Sequence, residues 1–161
     1  MVNGTMTDLD PANLGYDSSA VAINNAGQIV ITTDAVWRRV VTGYKQWQYV
    51  ASQGSSYYTL VLTNGVSTNV GNLGSTDGTY GSSINSFSDV VGYTVNAFGS
   101  GHIHGFLYHA GTIVDLNDHV TNLGGFRISA GRNINDLGQI VCLVVDANGN
   151  YQTALLTPIL S

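Results

Sequence analysis

The feature that most constrains this chain is a phrase it repeats three times. Ala20-Val21-Ala22-Ile23-Asn24-Asn25-Ala26-Gly27-Gln28-Ile29-Val30 returns as Asn133-Ile134-Asn135-Asp136-Leu137-Gly138-Gln139-Ile140-Val141. A worn copy lies between them, Ser83-Ile84-Asn85-Ser86-Phe87-Ser88-Asp89-Val90-Val91-Gly92. Each copy is an apolar run, a polar break led by Asn, and a second apolar run. An Asn side chain bonds the backbone ahead of it, and Gly accepts the positive φ that closes a hairpin, so the phrase predicts strand, turn, strand.

A second hairpin alternates with the first. His104-Gly105-Phe106-Leu107-Tyr108-His109-Ala110-Gly111-Thr112-Ile113-Val114-Asp115-Leu116 matches Tyr58-Thr59-Leu60-Val61-Leu62-Thr63-Asn64-Gly65-Val66 in length and turn position. Thr153-Ala154-Leu155-Leu156-Thr157 repeats its first half, and Gly4-Thr5-Met6-Thr7-Asp8-Leu9 repeats its second. These two stretches are complementary halves of one hairpin. The expected fold is a single all-β repeat domain over residues 1–161, interrupted by an insertion at about 34–56. Its antiparallel hairpins suit a propeller-like or other three-fold closed arrangement. The two ends either pair to close the ring or pair between chains, forming a homodimer, and closure removes exposed strand edges.

Composition narrows the partners. The 161 residues carry five basic and ten acidic side chains, a net charge of −5, and only 9% of residues are charged. Lys45 is the only lysine and Arg38-Arg39 the only adjacent basic pair, which excludes a phosphate-tracking groove and a polybasic membrane anchor. No stretch approaches the roughly 18 continuous apolar residues of a membrane helix. Met1-Val2-Asn3-Gly4 has neither the basic nor the apolar region of an export signal. Cys142 sits in the apolar run from Gln139 to Val145 and is expected to be a buried, inert thiol.

Together these hairpins resemble the HAF-repeat family, bacterial repeat proteins whose units alternate a His-Ala-Phe-Leu hairpin with an Ala-Ile-Asn-x-x-Gly-Gln-Val-Val-Gly hairpin. The resemblance is carried by His104-Gly105-Phe106-Leu107-Tyr108, by Ala22-Ile23-Asn24-Asn25-Ala26-Gly27-Gln28-Ile29-Val30, by Gly4-Thr5-Met6-Thr7-Asp8-Leu9 and by Leu155-Leu156-Thr157-Pro158. The name-giving His persists at His104 and is replaced by Tyr58 and Thr153 in the other copies. The resemblance implies propeller-like architecture and a secreted setting, and brings no catalytic residues with it.

Three functional readings remain open from the residues themselves. The first is a non-catalytic binding or interaction module. The second is a small metal-dependent hydrolase of an ester or lactone. All four histidines lie between His102 and His119; His102 and His104, two apart on a strand, would share a face, as imidazoles do around zinc. On this reading His102, His104 and Asp115 hold the metal, while His102, His104, Asp118 and His119 supply polarisation and the general base. A calcium version uses Asp146, Asn148 and Asn150, oxygen donors at alternate positions, although Asn148-Gly149 is also a strong hairpin-turn signal. The third reading is a carbohydrate-binding module using Trp37, Tyr44, Trp47 and Tyr49 in the insertion as a stacking platform.

Overall fold

The computed structural model describes residues 4–7, 9, 18–34, 57–74, 78–95 and 101–159. Within them eleven strands form three antiparallel sheets, with one helical turn. The first sheet contains β1 (Ser18–Ile23), β2 (Ile29–Asp34), β3 (Tyr57–Thr63) and β4 (Val66–Asn69), hydrogen-bonded in that order. The second repeats the plan with β5 (Thr79–Ile84), β6 (Val90–Thr94), β7 (His104–His109) and β8 (Thr112–Asp115), followed by α1 (Leu116–His119). The third has β9 (Arg127–Ile134), β10 (Ile140–Val145) and β11 (Tyr151–Leu156), with no fourth strand among the described residues. Asp34 pairs with Tyr57 across β2 and β3, so the insertion of the sequence analysis is bracketed by a closed ladder. Residues 35–56 of it, including Trp37, Tyr44, Trp47 and Tyr49, lie outside the described residues.

The repeated phrase is a repeated turn. At Asn24, Asn85 and Asn135 the side-chain oxygen accepts from the backbone N–H groups two and four residues ahead, at 2.9–3.1 Å. Asp146 does the same for Asn148 and Asn150. The residue three positions on is left-handed in each copy: Gly27, Gly138 and Gly149, but Ser88 with φ 69° in the second. A bulge precedes each of the first three turns, between Ala20 and Ala22, Gly81 and Ser83, and Gly131 and Asn133.

The sheets stack in chain order. β5 packs across β1, β2 and β3, and β9 packs across β5, β6 and β7, so each first strand lies over the preceding sheet. Glycine makes this approach possible. A β-carbon at Gly81 would stand 2.6 Å from Val30 Cγ1, and one at Gly131 would stand 2.8 Å from Val91 Cβ. Two cores fill the two seams. Val30, Val61, Val70, Leu73, Ile84, Val90 and Phe106 fill the first, and Val91, Leu116, Ile128, Ile134, Ile140, Cys142 and Val144 the second. Burying a side chain such as Phe106 or Ile128 is worth about 1.5–3 kcal/mol, which makes these seams the main source of cohesion between sheets.

The all-β expectation holds, and each four-stranded sheet joins one copy of each hairpin type. Among the described residues no strand ladder joins the first sheet to the third, and Gly4–Thr7 and Leu9 are in no strand. No helix among them is long and apolar enough to cross a membrane.

Candidate functional site

The histidine-rich segment is organised around Asp115. This residue is buried at the end of β8, and its Oδ2 lies 2.5 Å from Nδ1 of His104 on the paired strand β7. Its Oδ1 accepts from Asn117 N and Nδ2, which caps α1, and Asn117 in turn ties to the backbone of Ile128 in the third sheet. Asp115 is therefore a structural junction: it fixes a strand residue, a helix cap and a seam. His119 Nδ1 meets the Asp115 carbonyl at 3.2 Å, while His102 and Asp118 are exposed. The hairpin does bring His104 and Asp115 together, as their spacing implies. Among the described residues, however, no group of three or more His, Cys, Asp or Glu side chains is arranged to hold a metal ion, so His102 does not complete a ligand set with them.

The proposed calcium donors follow the turn chemistry. Asp146 Oδ1 accepts two backbone N–H groups, and Oδ2 accepts from Asn150 Nδ2 at 3.0 Å. The Asn150 side chain and backbone donors, then those of Asn148 and Gly149, hold the Asp146 carboxyl below its ordinary range. Asn148 is exposed beside it and contributes its backbone N–H, while the Asp146 and Asn150 side chains brace the hairpin. Cys142 is fully buried, and burial pushes its thiol up to about 11, which makes it a poor nucleophile.

A concavity lies elsewhere, at the ends of β1 and β5 remote from the asparagine turns. It is a cleft of about 470 Å³ between the first two sheets, lined by Ser18, Val21, Thr32, Tyr57, Tyr80, Ser82, Tyr93 and Arg132 among others. Its wall is a row of tyrosines. Tyr80 and Tyr93 stack with centroids 4.9 Å apart and planes 9° apart, and Tyr57 leans on Tyr80 at 5.1 Å. β-Sheet register creates the row: Tyr80 pairs directly with Tyr93 across β5 and β6, and the Tyr57↔Gly78 bridge brings the start of β3 alongside. Burial, then the neighbouring Tyr57 and Tyr93, raises the pKa of the Tyr80 hydroxyl.

Arg132, at the β9 bulge, closes the cleft from the third sheet. Together with Tyr93 it also lines a second concavity of about 290 Å³ that continues to Ile103, Leu143 and Tyr151. Thr32 Oγ1 is buried in the cleft's lining with no hydrogen-bond partner among the described residues. The sequence reading missed this site, because the three tyrosines come from three strands and two sheets and share no local pattern. The signal available was Tyr80-Gly81 preceding the second repeat and Gly92-Tyr93 following it. No protein-family model, curated protein or solved structure matches this chain.

Proposed function

We propose that the chain is a non-catalytic binding module built of propeller-like blades, resembling the HAF-repeat family, and that its ligand is a small polyhydroxylated molecule such as a carbohydrate. The supporting observation is the tyrosine-walled cleft. Flat aromatic faces beside a few hydroxyls and one cation are how proteins hold a sugar ring: the apolar face of the ring stacks while its hydroxyls find donors and acceptors. Tyr57, Tyr80 and Tyr93 offer the faces, Ser18 and Ser82 the hydroxyls, and Arg132 a positive charge suited to a carboxylated sugar. This proposed site differs in its residues from the insertion platform of Trp37, Tyr44, Trp47 and Tyr49, which lies outside the described residues.

Calorimetric titration with cellotetraose and with tetragalacturonate tests this. Binding of either sugar is expected, weakened by Tyr93→Ala about tenfold, the equivalent of about 1.4 kcal/mol. Arg132→Ala should weaken the acidic sugar more than the neutral one. Affinity unchanged in both variants would refute the site.

The hydrolase reading draws on one contact, His104 with Asp115, the pairing that orients an imidazole in acid–base chemistry. It requires ester or lactone turnover that is lost in His104→Ala and, in its metal-dependent form, on chelation.

A further inference from the structure

We infer that the tyrosine-walled cleft and the smaller concavity beside it are one groove whose ligand is a sugar acid carrying an apolar substituent, a proposal that rests on the carbohydrate reading of the cleft and names the class of sugar.

The repeat places equivalent residues along this groove. Counting from the bulge before each asparagine turn, three cross-strand pairs occupy the same position in successive sheets: Ser19 with Thr32, Tyr80 with Tyr93, and Ala130 with Leu143. Directly paired residues hold their side chains next to each other on one face of the sheet. All six line the two concavities: the first two pairs border the larger, and Tyr93 with the third pair borders the smaller. Tyr57 and Ile103 are equivalent as well, since each directly precedes the matching residues Tyr58 and His104, and each lines the concavity in its own seam. The smaller concavity is therefore the larger one repeated one sheet further on, with different side chains.

The two are also continuous. A bulge leaves one residue out of the ladder and re-aims its side chain. In the three sheets that residue is Val21, Ser82 and Arg132, and all three line the larger concavity. Arg132 lines the smaller one too, as does Tyr93, so a ligand that passes from one to the other keeps contact with both residues. At about 470 and 290 Å³ the two together fall in the range of roughly 300–1,000 Å³ that suits a small molecule.

Chemistry changes along the groove. The paired residues run from hydroxyl at Ser19 and Thr32, through aromatic at Tyr80 and Tyr93, to aliphatic at Ala130 and Leu143. Ile103, 38% exposed, and Tyr151, 59% exposed, carry the apolar end out to the rim. Arg127 donates to the Ile103 carbonyl and so fastens that rim to β9. Ser129 belongs to the same lining, but its hydroxyl already donates to the Leu143 carbonyl at 3.0 Å. A second sugar ring placed here would set its hydroxyls against Leu143 and Ile103 and lose their water, whereas an alkyl group gains by leaving water. Arg132 is exposed where the two concavities meet, and a carboxylate on the first ring takes a charge-assisted contact there. The occupant is thus a uronic acid ring on Tyr80 and Tyr93, its carboxylate at Arg132 and its apolar substituent between Leu143 and Ile103.

Calorimetric titration of the 161-residue chain with methyl β-D-glucuronide, hexyl β-D-glucuronide and hexyl β-D-glucoside tests this. The hexyl glucuronide should bind about tenfold or more tightly than the methyl one, from burial of the added methylenes. Leu143→Ala should cut that ratio, and so should Ile103→Gln, which changes an exposed side chain outside β7 and spares the core. Arg132→Ala should remove the advantage of hexyl glucuronide over hexyl glucoside. Equal affinity for the two glucuronides, or a hexyl advantage that survives both Leu143→Ala and Ile103→Gln, would overturn the apolar end of the groove and leave the sugar reading standing. Failure of every glycoside to bind would overturn the sugar reading itself, and this inference with it.

Discussion

Replacing the turn asparagines one at a time should produce a graded loss of stability, although the three turns are locally alike. Asn85 is 3% exposed and makes four side-chain bonds: it accepts from Phe87 N and Asp89 N, and donates to Asp89 Oδ2 and across the seam to the Asn135 carbonyl. At a net value of about 1 kcal/mol each, and allowing the exposed Phe87 N–H to recover water, Asn85→Ala should cost about 3 kcal/mol. Asn135 is exposed and, among the described residues, its side chain makes only the three bonds within its turn, so Asn135→Ala should cost about 1 kcal/mol, its freed donors being rehydrated. Asn24 is half-buried and keeps its bond to the Asn85 carbonyl, and should fall between them. Urea unfolding in dilute solution, where association adds least, reads the series as shifts in midpoint at constant slope, about 1–2 M for Asn85→Ala. If Asn135→Ala is as destabilising as Asn85→Ala, the seam bond and burial contribute nothing, and the account of how sheets are joined is refuted.

Three further outcomes follow from local geometry. Ala110 has φ 49° in the two-residue turn between β7 and β8, where the corresponding turn has Asn64 at φ 49°; Ala110→Asn should raise stability by about 0.5–1 kcal/mol in thermal melts, and a loss would contradict the turn assignment. Cys142 should resist a thiol reagent at pH 8 in the folded chain and react at once in denaturant, because burial raises its thiol to about 11; rapid labelling of the native chain would contradict that burial. The backbone N–H and hydroxyl of Ser86 hold the Asp136 carboxyl below its ordinary value of 3.8, so this contact stabilises the chain above that value and is lost as pH falls through the lowered one. Asp136→Asn should therefore flatten the acid limb of stability against pH; an unchanged limb would remove the contact from the account.

The sequence revealed the local architecture because its signals are local. An Asn followed by a Gly at a fixed offset, flanked by β-branched runs, specifies a hairpin from a dozen residues; the turns at Asn24 and Asn135 form that way, with Ser88 replacing the Gly after Asn85 and Asp146 replacing the Asn before Gly149. Register brought His104 and Asp115 together for the same reason: a two-residue turn fixes which residues face across the strands. Long-range relations were less visible. The seam contacts of Gly81 with Val30 and of Gly131 with Val91 depend on how separate sheets stack, and glycine spacing alone says nothing of its neighbour. Tyr57, Tyr80 and Tyr93 come from the edges of different repeats, so nothing local distinguished them from packing residues, whereas the aromatics of the insertion stood out by density. The metal readings at His102 and Asp146 were ambiguous in the sequence, because turns, strand contacts and ligation use the same oxygen and imidazole groups at alternate positions.

The measurement that tests the central claim most directly is an amide and side-chain NMR titration of the 15N-labelled chain with cellotetraose and tetragalacturonate. The account predicts saturable shifts centred on Tyr57, Tyr80, Tyr93 and Arg132, with His104 and Asp115 unmoved. Shifts centred on His102 to His119, or none with either sugar, would contradict it.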